Sequence, residues 1–294
     1  MAIGQQTEEE VPAKDQPGTM KRKLDVLYPL GLAGGILALL GAAVVDGTSP
    51  ISFLNLAALV IVFGGTLSAT IVQHPLHIVK RAFVMIFWAI KPPHYDPATF
   101  IEEIIGWANL SRRNGLLSLD ALIDDVDDPF MRKGLQMAVD GFDASAILRT
   151  MRLRLHTQTE LDSMASGLFE AAGGYAPTFG IMGAVTGLIE VMHHLDQPSQ
   201  LGVGIAAAFV STVYGLVLAN VFCIPTANRL RTVIAEQLVA RNVFLDGLTG
   251  IVHGTNTTEL QDLLESYYLS NKASQADEAA DTPARTVSDD RSPS

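Results

Sequence analysis

The sequence predicts an all-α membrane protein: four transmembrane helices, with a helical cytoplasmic domain inserted between spans 2 and 3. Three observations carry this expectation. Charged residues make up 17% of the 294 positions, against about a quarter in soluble domains. Those charges cluster between four long charge-poor stretches, as loops do between bilayer spans. All 20 lysines and arginines fall outside those stretches and outside the two short connections that pair them.

Residues 1–23 are polar, and Glu8-Glu9-Glu10 precedes the basic cluster Lys21-Arg22-Lys23. A cleavable secretory leader starts with a basic region, so this segment reads as a mostly disordered N-terminal stretch whose cluster anchors the first span. Leu24–Val45 is 22 residues long with the single charge Asp25. At about 1.5 Å rise per residue it crosses a hydrocarbon core of about 30 Å. Asp46–Pro50 carries Gly and Pro turn signals, and Ile51–Gln73 is a second, uncharged span. Spans 1 and 2 thus occupy residues 24–73. A third span covers about Gly167–Met192 and a fourth about Leu201–Pro225, joined by His193–Gln200; together they occupy residues 167–225.

Residues 74–166 form the inserted domain. His77–Ile90 mixes Lys80 and Arg81 with Phe83, Phe87 and Trp88, the pattern of an amphipathic interfacial helix. Asp96-Pro97 is a helix start, with Asp as cap and Pro in the first turn. Phe100, Ile101, Ile104, Ile105 and Ala108 then share one face until Asn114-Gly115 stops the helix. Asp128-Pro129 repeats the start signal, and Asp143 caps a helix leading to the third span. The acidic cluster Asp124, Asp125, Asp127 and Asp128 lacks the spacing of a calcium loop and reads as a solvated turn plus a cap. Residues 226–272 carry two further helical patterns, Arg229–Val252 and Glu259–Ser270. From Ala273 to residue 294 no large apolar side chain except Val287 occurs, the composition of a disordered tail.

Lys and Arg number four in residues 1–23, ten in 74–166 and six in 226–294. By the positive-inside rule both termini and the inserted domain are cytoplasmic, as in a polytopic inner-membrane protein. A net charge of −11 without a basic, aromatic-laced stripe argues against nucleic-acid binding. No catalytic constellation, metal set or cofactor loop is legible. The single Cys223 is a small core hydrophobe, and glycine-rich Gly173–Gly183 lacks the strand–turn–helix context of a nucleotide loop.

The third and fourth spans hold the unusual residues. Pro177 removes an amide donor inside a helix, about 15 Å deep from Gly167. Thr212 lies about 17 Å deep from Leu201 on the other side. Two readings stay open: a hydrated path lined by a hydroxyl and a loosened carbonyl, or a plain kink beside a back-bonded threonine. Small residues at helical spacing (Gly31 and Gly35, Gly64-Gly65, Gly183 and Gly187) suit close packing within the chain or between subunits. Ionisable span residues are the default proton carriers. Here they are Asp25, Glu170 and Glu190, all near span ends, so a transported ion would need a titrating group from another chain. His193-His194 fits helix-end capping or, alternatively, metal or proton binding.

These patterns resemble the flagellar motor stator A subunits (the MotA/PomA type), members of the proton-channel family that includes TolQ and ExbB. The resemblance covers about residues 20–270 and rests on Ala176–Gly187, Ser211–Asn220 ending at Pro225, Arg112–Asp120 and Val139–Asp143. It implies that Pro177 and Pro225 couple ion flow to conformational change and that Thr212 faces the ion path. Ala184, where sodium-driven relatives carry threonine, implies a proton. Arg112, with Arg113 beside it, and Asp120 match the charged pair that engages the rotor's switch protein, with Asp one methylene shorter than the usual Glu. The resemblance further implies a homopentamer around a B-type subunit that has one transmembrane helix, a peptidoglycan-binding domain and the proton-carrying aspartate. A TolQ/ExbB-like energiser of outer-membrane transport or envelope integrity, or a non-transporting scaffold, are the alternative readings.

Overall fold

Asp96 and Asp128 begin their helices as caps. The Asp96 carboxylate accepts from the Thr99 amide at 3.2 Å, and that of Asp128 accepts from the Phe130 amide at 2.7 Å. Each leaves a proline in the first turn, where its missing N–H is harmless. A computed structural model describes residues 21–22, 25–45, 47, 49–196 and 198–281. The expected N-terminal disorder, Lys14 and Lys23 of the basic set, and residues 282–294 of the tail lie outside the described residues, as do Asp46 and Thr48 of the first turn.

Four described helical stretches are long and apolar enough to cross a membrane. The first is α1, Leu27–Val45. The second joins α2, Leu56–Leu59, a π-helical turn Val60–Gly64, and α3, Gly65–Gln73. It starts later than Ile51, because Pro50–Phe53 forms a 3₁₀ turn and the Asn55 side chain caps α2, accepting from Ala58 N at 2.9 Å. Then come α4, Leu76–Ile90; α5, Pro97–Asn114; a 3₁₀ turn Leu116–Leu119; α6, Asp120–Ile123; and α7, Pro129–Val139. The third span is the second half of α8, Ala144–His193, a single 50-residue helix. The fourth begins in α9, Pro198–Val217, and passes a π-helical turn Leu218–Cys223 into α10, Ile224–His253. The last helix, α11, is Thr257–Asp281. It runs past Ala273, where the sequence composition suggested that order ends; Ala, Gln and Glu there are good helix formers. Two-residue strands β1, Lys21–Arg22, and β2, Pro93–His94, pair antiparallel.

The chain divides into two units, each with its own core. One contains Tyr95–Arg152 and the chain from Val239 onward. Ile104, Leu119, Phe130, Leu135, Ile147 and Phe244 are among its buried apolar side chains. Trp107 and Phe130 each meet Phe244 edge-on, with ring centroids 6.3 Å apart. Gly134 lets this happen, since a Cβ there would stand 2.7 Å from the Phe244 ring. The core also holds a polar network that the sequence did not reveal. Asp128, grouped above with a solvated acidic turn, is 2% exposed and accepts from Arg241 Nε and from the Tyr95 hydroxyl, both at 3.2 Å. Arg241 in turn lies 5.4 Å over the Phe130 ring. Burial, with Asp128 alongside, holds Tyr95 protonated far above the usual phenol range. Asp128 is a cap, but a buried one; the charge that neutralises it lies 113 residues away.

The other unit contains Lys21–His94 and Leu153–Leu238. Its α4 is amphipathic as expected, but its buried face meets protein. Ile78, Ala82 and Met85 pack with Leu168 and Phe169 of α8 and Leu230 of α10. Arg81 pins this helix to buried Asp162 at 2.7 Å and lies 4.9 Å over Trp88. By contrast α1 buries only Ala43 and leaves Leu27, Leu37 and Val45 exposed.

Removing one partner of a buried charge pair strands the other. Asp128→Ala should therefore lower stability by about 3–5 kcal/mol, read as a lower unfolding temperature in detergent. Asp246, half-buried in the same unit, has its carboxyl raised by burial against a smaller opposing effect of Arg152. A raised carboxyl binds its proton more tightly folded than unfolded, so its penalty exists above the ordinary Asp range and fades below it. Asp246→Asn should raise thermal stability at neutral pH, and the gain should vanish on acidification below about pH 4.

Candidate functional site

Glycine builds the contact between the third and fourth spans. A Cβ on Gly180 would stand 3.0 Å from the Ser211 carbonyl and 3.3 Å from Thr212 Cα. One on Gly215 would stand 2.5 Å from the Ala176 carbonyl. One on Gly183 would stand 2.6 Å from Ser211 Oγ, and one on Gly187 would stand 3.0 Å from the Gly204 carbonyl. Without side chains at these points the two backbones touch, which is how helices associate where lipid offers no hydrophobic drive. Gly183 and Gly187 thus pack within the chain, and so do Gly35 against Val221 and Gly65 against Phe179. Gly31 and Gly64 have nothing within 4 Å.

This seam brings Pro177 and Thr212 to one level. Pro177 lies one residue past Ala176, which faces Gly215, and three before Gly180, which faces Thr212. The Thr212 hydroxyl is half-buried and back-bonds loosely to the Ala208 carbonyl at 3.4 Å. Ala184 is half-buried next to Gly183, one turn further along α8. Pro225 is the second residue of α10, directly after the π-helical turn. There the helix runs on through a proline that the sequence placed at its end: the π-helical turn shifts the ladder to i→i+5, with the Ile224 amide donating to the Ala219 carbonyl, and Pro225 itself donates nothing. The two prolines also meet indirectly. Pro177 deprives the Gly173 carbonyl of its helical donor, and a Cβ on Gly173 would stand 2.8 Å from Ile224, the neighbour of Pro225.

The span-end carboxylates are engaged. Asp25 pairs with Arg229 and Glu170 with Arg231, both in the same unit. Glu190 is exposed, and its carbonyl bonds to the His194 ring at 2.9 Å, a capping arrangement at the end of α8. Several partners escaped the sequence reading because each needs the tertiary fold. Tyr28 meets Thr226 at 2.6 Å, and Tyr175 donates to Gln73 at 3.0 Å. The Tyr214 hydroxyl donates to the Phe53 carbonyl. Among the described residues, no group of three or more His, Cys, Asp or Glu side chains is placed to hold a metal ion.

Arg112, Arg113 and Asp120 lie in the other unit, all exposed. The arginines close α5, where they complement the helix dipole. Gly115, at φ 82°, then reverses the chain in a conformation that favours glycine. Buried Leu119 anchors the following 3₁₀ turn, and Ser118 Oγ donates to the Gly115 carbonyl at 2.7 Å. Leu117, in contrast, is 72% exposed on this turn, between the arginines and Asp120 in sequence.

A solved flagellar MotAB stator complex from Bacillus subtilis matches this fold with a TM-score of 0.74 at 33% identity, over 81% of this chain and 94% of that one. MotAB of C. jejuni shares the fold with a TM-score of 0.77 at 24% identity, over 83% of this chain and 96% of that one. Motility protein A of Bacillus subtilis (strain 168) is 34% identical over 248 residues, which are 83% of this chain and 91% of that protein. The model of the MotA/TolQ/ExbB proton channel family matches residues 122–243. The chain belongs to that family. As a member it is a membrane protein, and the family match spans the glycine seam, Pro177, Thr212 and Pro225.

The seam is testable without any assay of transport. Gly215→Ala forces a methyl group onto the Ala176 carbonyl, whereas Gly202 has open space around it. Gly215→Ala should lower the unfolding temperature in detergent and the steady-state membrane level, and Gly202→Ala should leave both near wild type.

Proposed function

We propose that this chain is the ion-conducting A-type stator subunit of a bacterial flagellar motor. The near full-length match to Motility protein A carries this reading. Four spans and relatives named for motility favour it over a TolQ/ExbB-like energiser.

In this reading five copies surround a B-type partner with one transmembrane helix and a peptidoglycan-binding domain, in the inner membrane with both termini cytoplasmic. The partner is suggested by the MotAB complexes that share the fold. Orientation is supported by the distribution of Lys and Arg. Because Asp25 and Glu170 are tied up by arginines at span ends, the carrier carboxylate comes from the partner. Thr212, with a hydroxyl only weakly held by its own helix, lines the path beside that carboxylate. Ala184 stands where sodium-driven relatives carry a threonine, which favours a proton over sodium. Protonation removes the carboxylate's charge and its preference for polar lining. The loosened turns at Pro177 and Pro225 then let the spans rearrange. Each charge crossing releases about 2.3 kcal/mol per 100 mV, so movement proceeds in small steps. Arg112, Arg113 and Asp120 meet complementary charges on the rotor's switch protein, and exposed Leu117 between them supplies an apolar contact.

In a strain deleted for its own A subunit, this chain expressed with its B-type partner should restore swimming, and medium without sodium should not stop it. Arg112→Glu and Asp120→Arg should each cut swimming speed severalfold at unchanged membrane level, as reversed charges repel the rotor. Unchanged swimming in both variants would remove the rotor interface from the proposal.

A further inference from the structure

Two contacts join the first span to the turn that holds Pro225. Asp25 pairs with Arg229, and the Tyr28 hydroxyl meets Thr226 Oγ1 at 2.6 Å. Asp25 stands just before α1, accepting from the Leu27 amide at 3.0 Å, and Tyr28 lies in its first turn; Thr226 and Arg229 are one turn apart on α10, so the two contacts form adjacent rungs. Their proton order follows from chemistry. A threonine hydroxyl has one proton, and that of Thr226 goes to the Phe222 carbonyl at 2.5 Å. Its oxygen must therefore accept from Tyr28. A relay thus runs from span 1 through Thr226 to a carbonyl of the π-helical turn, the place where the fourth span's own ladder is weakest. Thr226 is fully buried, which makes the loss of either bond costly. Alongside the rungs the two helices leave an open cleft of about 490 Å³, whose walls include Tyr28, Gly31, Asn220, Pro225 and Arg229, and they close again where Gly35 packs against Val221. The fourth span is bonded to the first just after its proline, and beside Pro225 the cleft leaves it room to shift.

We propose that Asp25 and Tyr28 are positioning residues for the coupling step, clamping the base of the Pro225 turn so that the rest of span 4 pivots on it. This rests on the stator reading above. Without the clamp, movement of span 4 spreads into sliding against span 1, and less of each ion's work reaches the rotor. The clamp, not the proline alone, then defines the hinge axis.

The test uses the full chain with its B-type partner in a motile host, reading both the number of fluorescent stators per motor and rotation speed per stator at low load. Tyr28→Phe and Asp25→Asn should incorporate at wild-type numbers and rotate at least about twofold slower per stator. Asp25→Arg combined with Arg229→Asp should recover speed relative to either single change. Thr226→Ser should keep wild-type speed and Thr226→Val should lose it. Wild-type speed per stator in Tyr28→Phe and Asp25→Asn overturns the clamp, and so does a deficit confined to incorporation. A readout independent of rotation separates this from the stator reading. Spin labels at Leu30 and Asn220, in a Cys223→Ala background, should give a narrow distance distribution that broadens in Tyr28→Phe combined with Asp25→Asn. An unchanged width overturns the clamp whatever the motor does, while a wild-type chain that drives no rotation counts against the stator reading alone.

Discussion

In hydrocarbon a backbone N–H or C=O has no water to turn to, so every break in a helical ladder must be resolved by the protein itself. This chain places its breaks in a small region of spans 2 to 4. Pro177 interrupts the third span, and a π-helical turn followed by Pro225 interrupts the fourth. A second π-helical turn, Val60–Gly64, interrupts the second. Glycine at positions 180, 183, 187 and 215 brings backbones close enough for neighbouring helices to shield those breaks. The result is a seam that is tightly packed and yet weakly bonded along its length, which suits a helix pair that must move without coming apart.

Charge follows the same constraint. Carboxylates survive at the ends of the spans because arginines meet them there, Asp25 with Arg229 and Glu170 with Arg231. Asp162, deeply buried, is likewise met by Arg81. At the level of Pro177 and Thr212 the polar groups are hydroxyls and carbonyls, which can line a path but cannot carry a proton's charge at neutral pH. In the stator proposed above, the titrating group therefore comes from the companion subunit. The unit that holds Arg112 and Asp120 solves a different problem. Buried Asp128, Arg241 and Tyr95 tie its helices together from within, while Arg112, Arg113 and Asp120 stand exposed on its surface.

Much of the fold was legible because the bilayer imposes lengths and compositions on a sequence. Four apolar stretches, two Asp-Pro helix starts and the Asn114-Gly115 stop are local signals, and each corresponds to an element in the structure. Boundaries shifted where a distant or unusual local bond decides them. Asn55 delays the second span to Leu56, and the π-helical turn lets the fourth helix run on through Pro225. Asp128 shows the harder limit. Its capping role is written in the neighbouring proline, but its burial depends on an arginine 113 residues away, and no periodicity reports such a partner.

The amino-acid sequence by itself therefore determined the number of spans, their helical character, the positions of the two prolines and the exclusion of a mid-depth acid. These follow from hydrophobicity, helix geometry and side-chain chemistry, all of which act within a few turns of chain. Only the tertiary structure decided that Gly180 of the third span faces Thr212, that Gly173 abuts the Pro225 turn, and that Asp25 and Tyr28 grip Arg229 and Thr226. Those are meetings between segments as much as about 200 residues apart, fixed by which backbones can approach closely enough to touch.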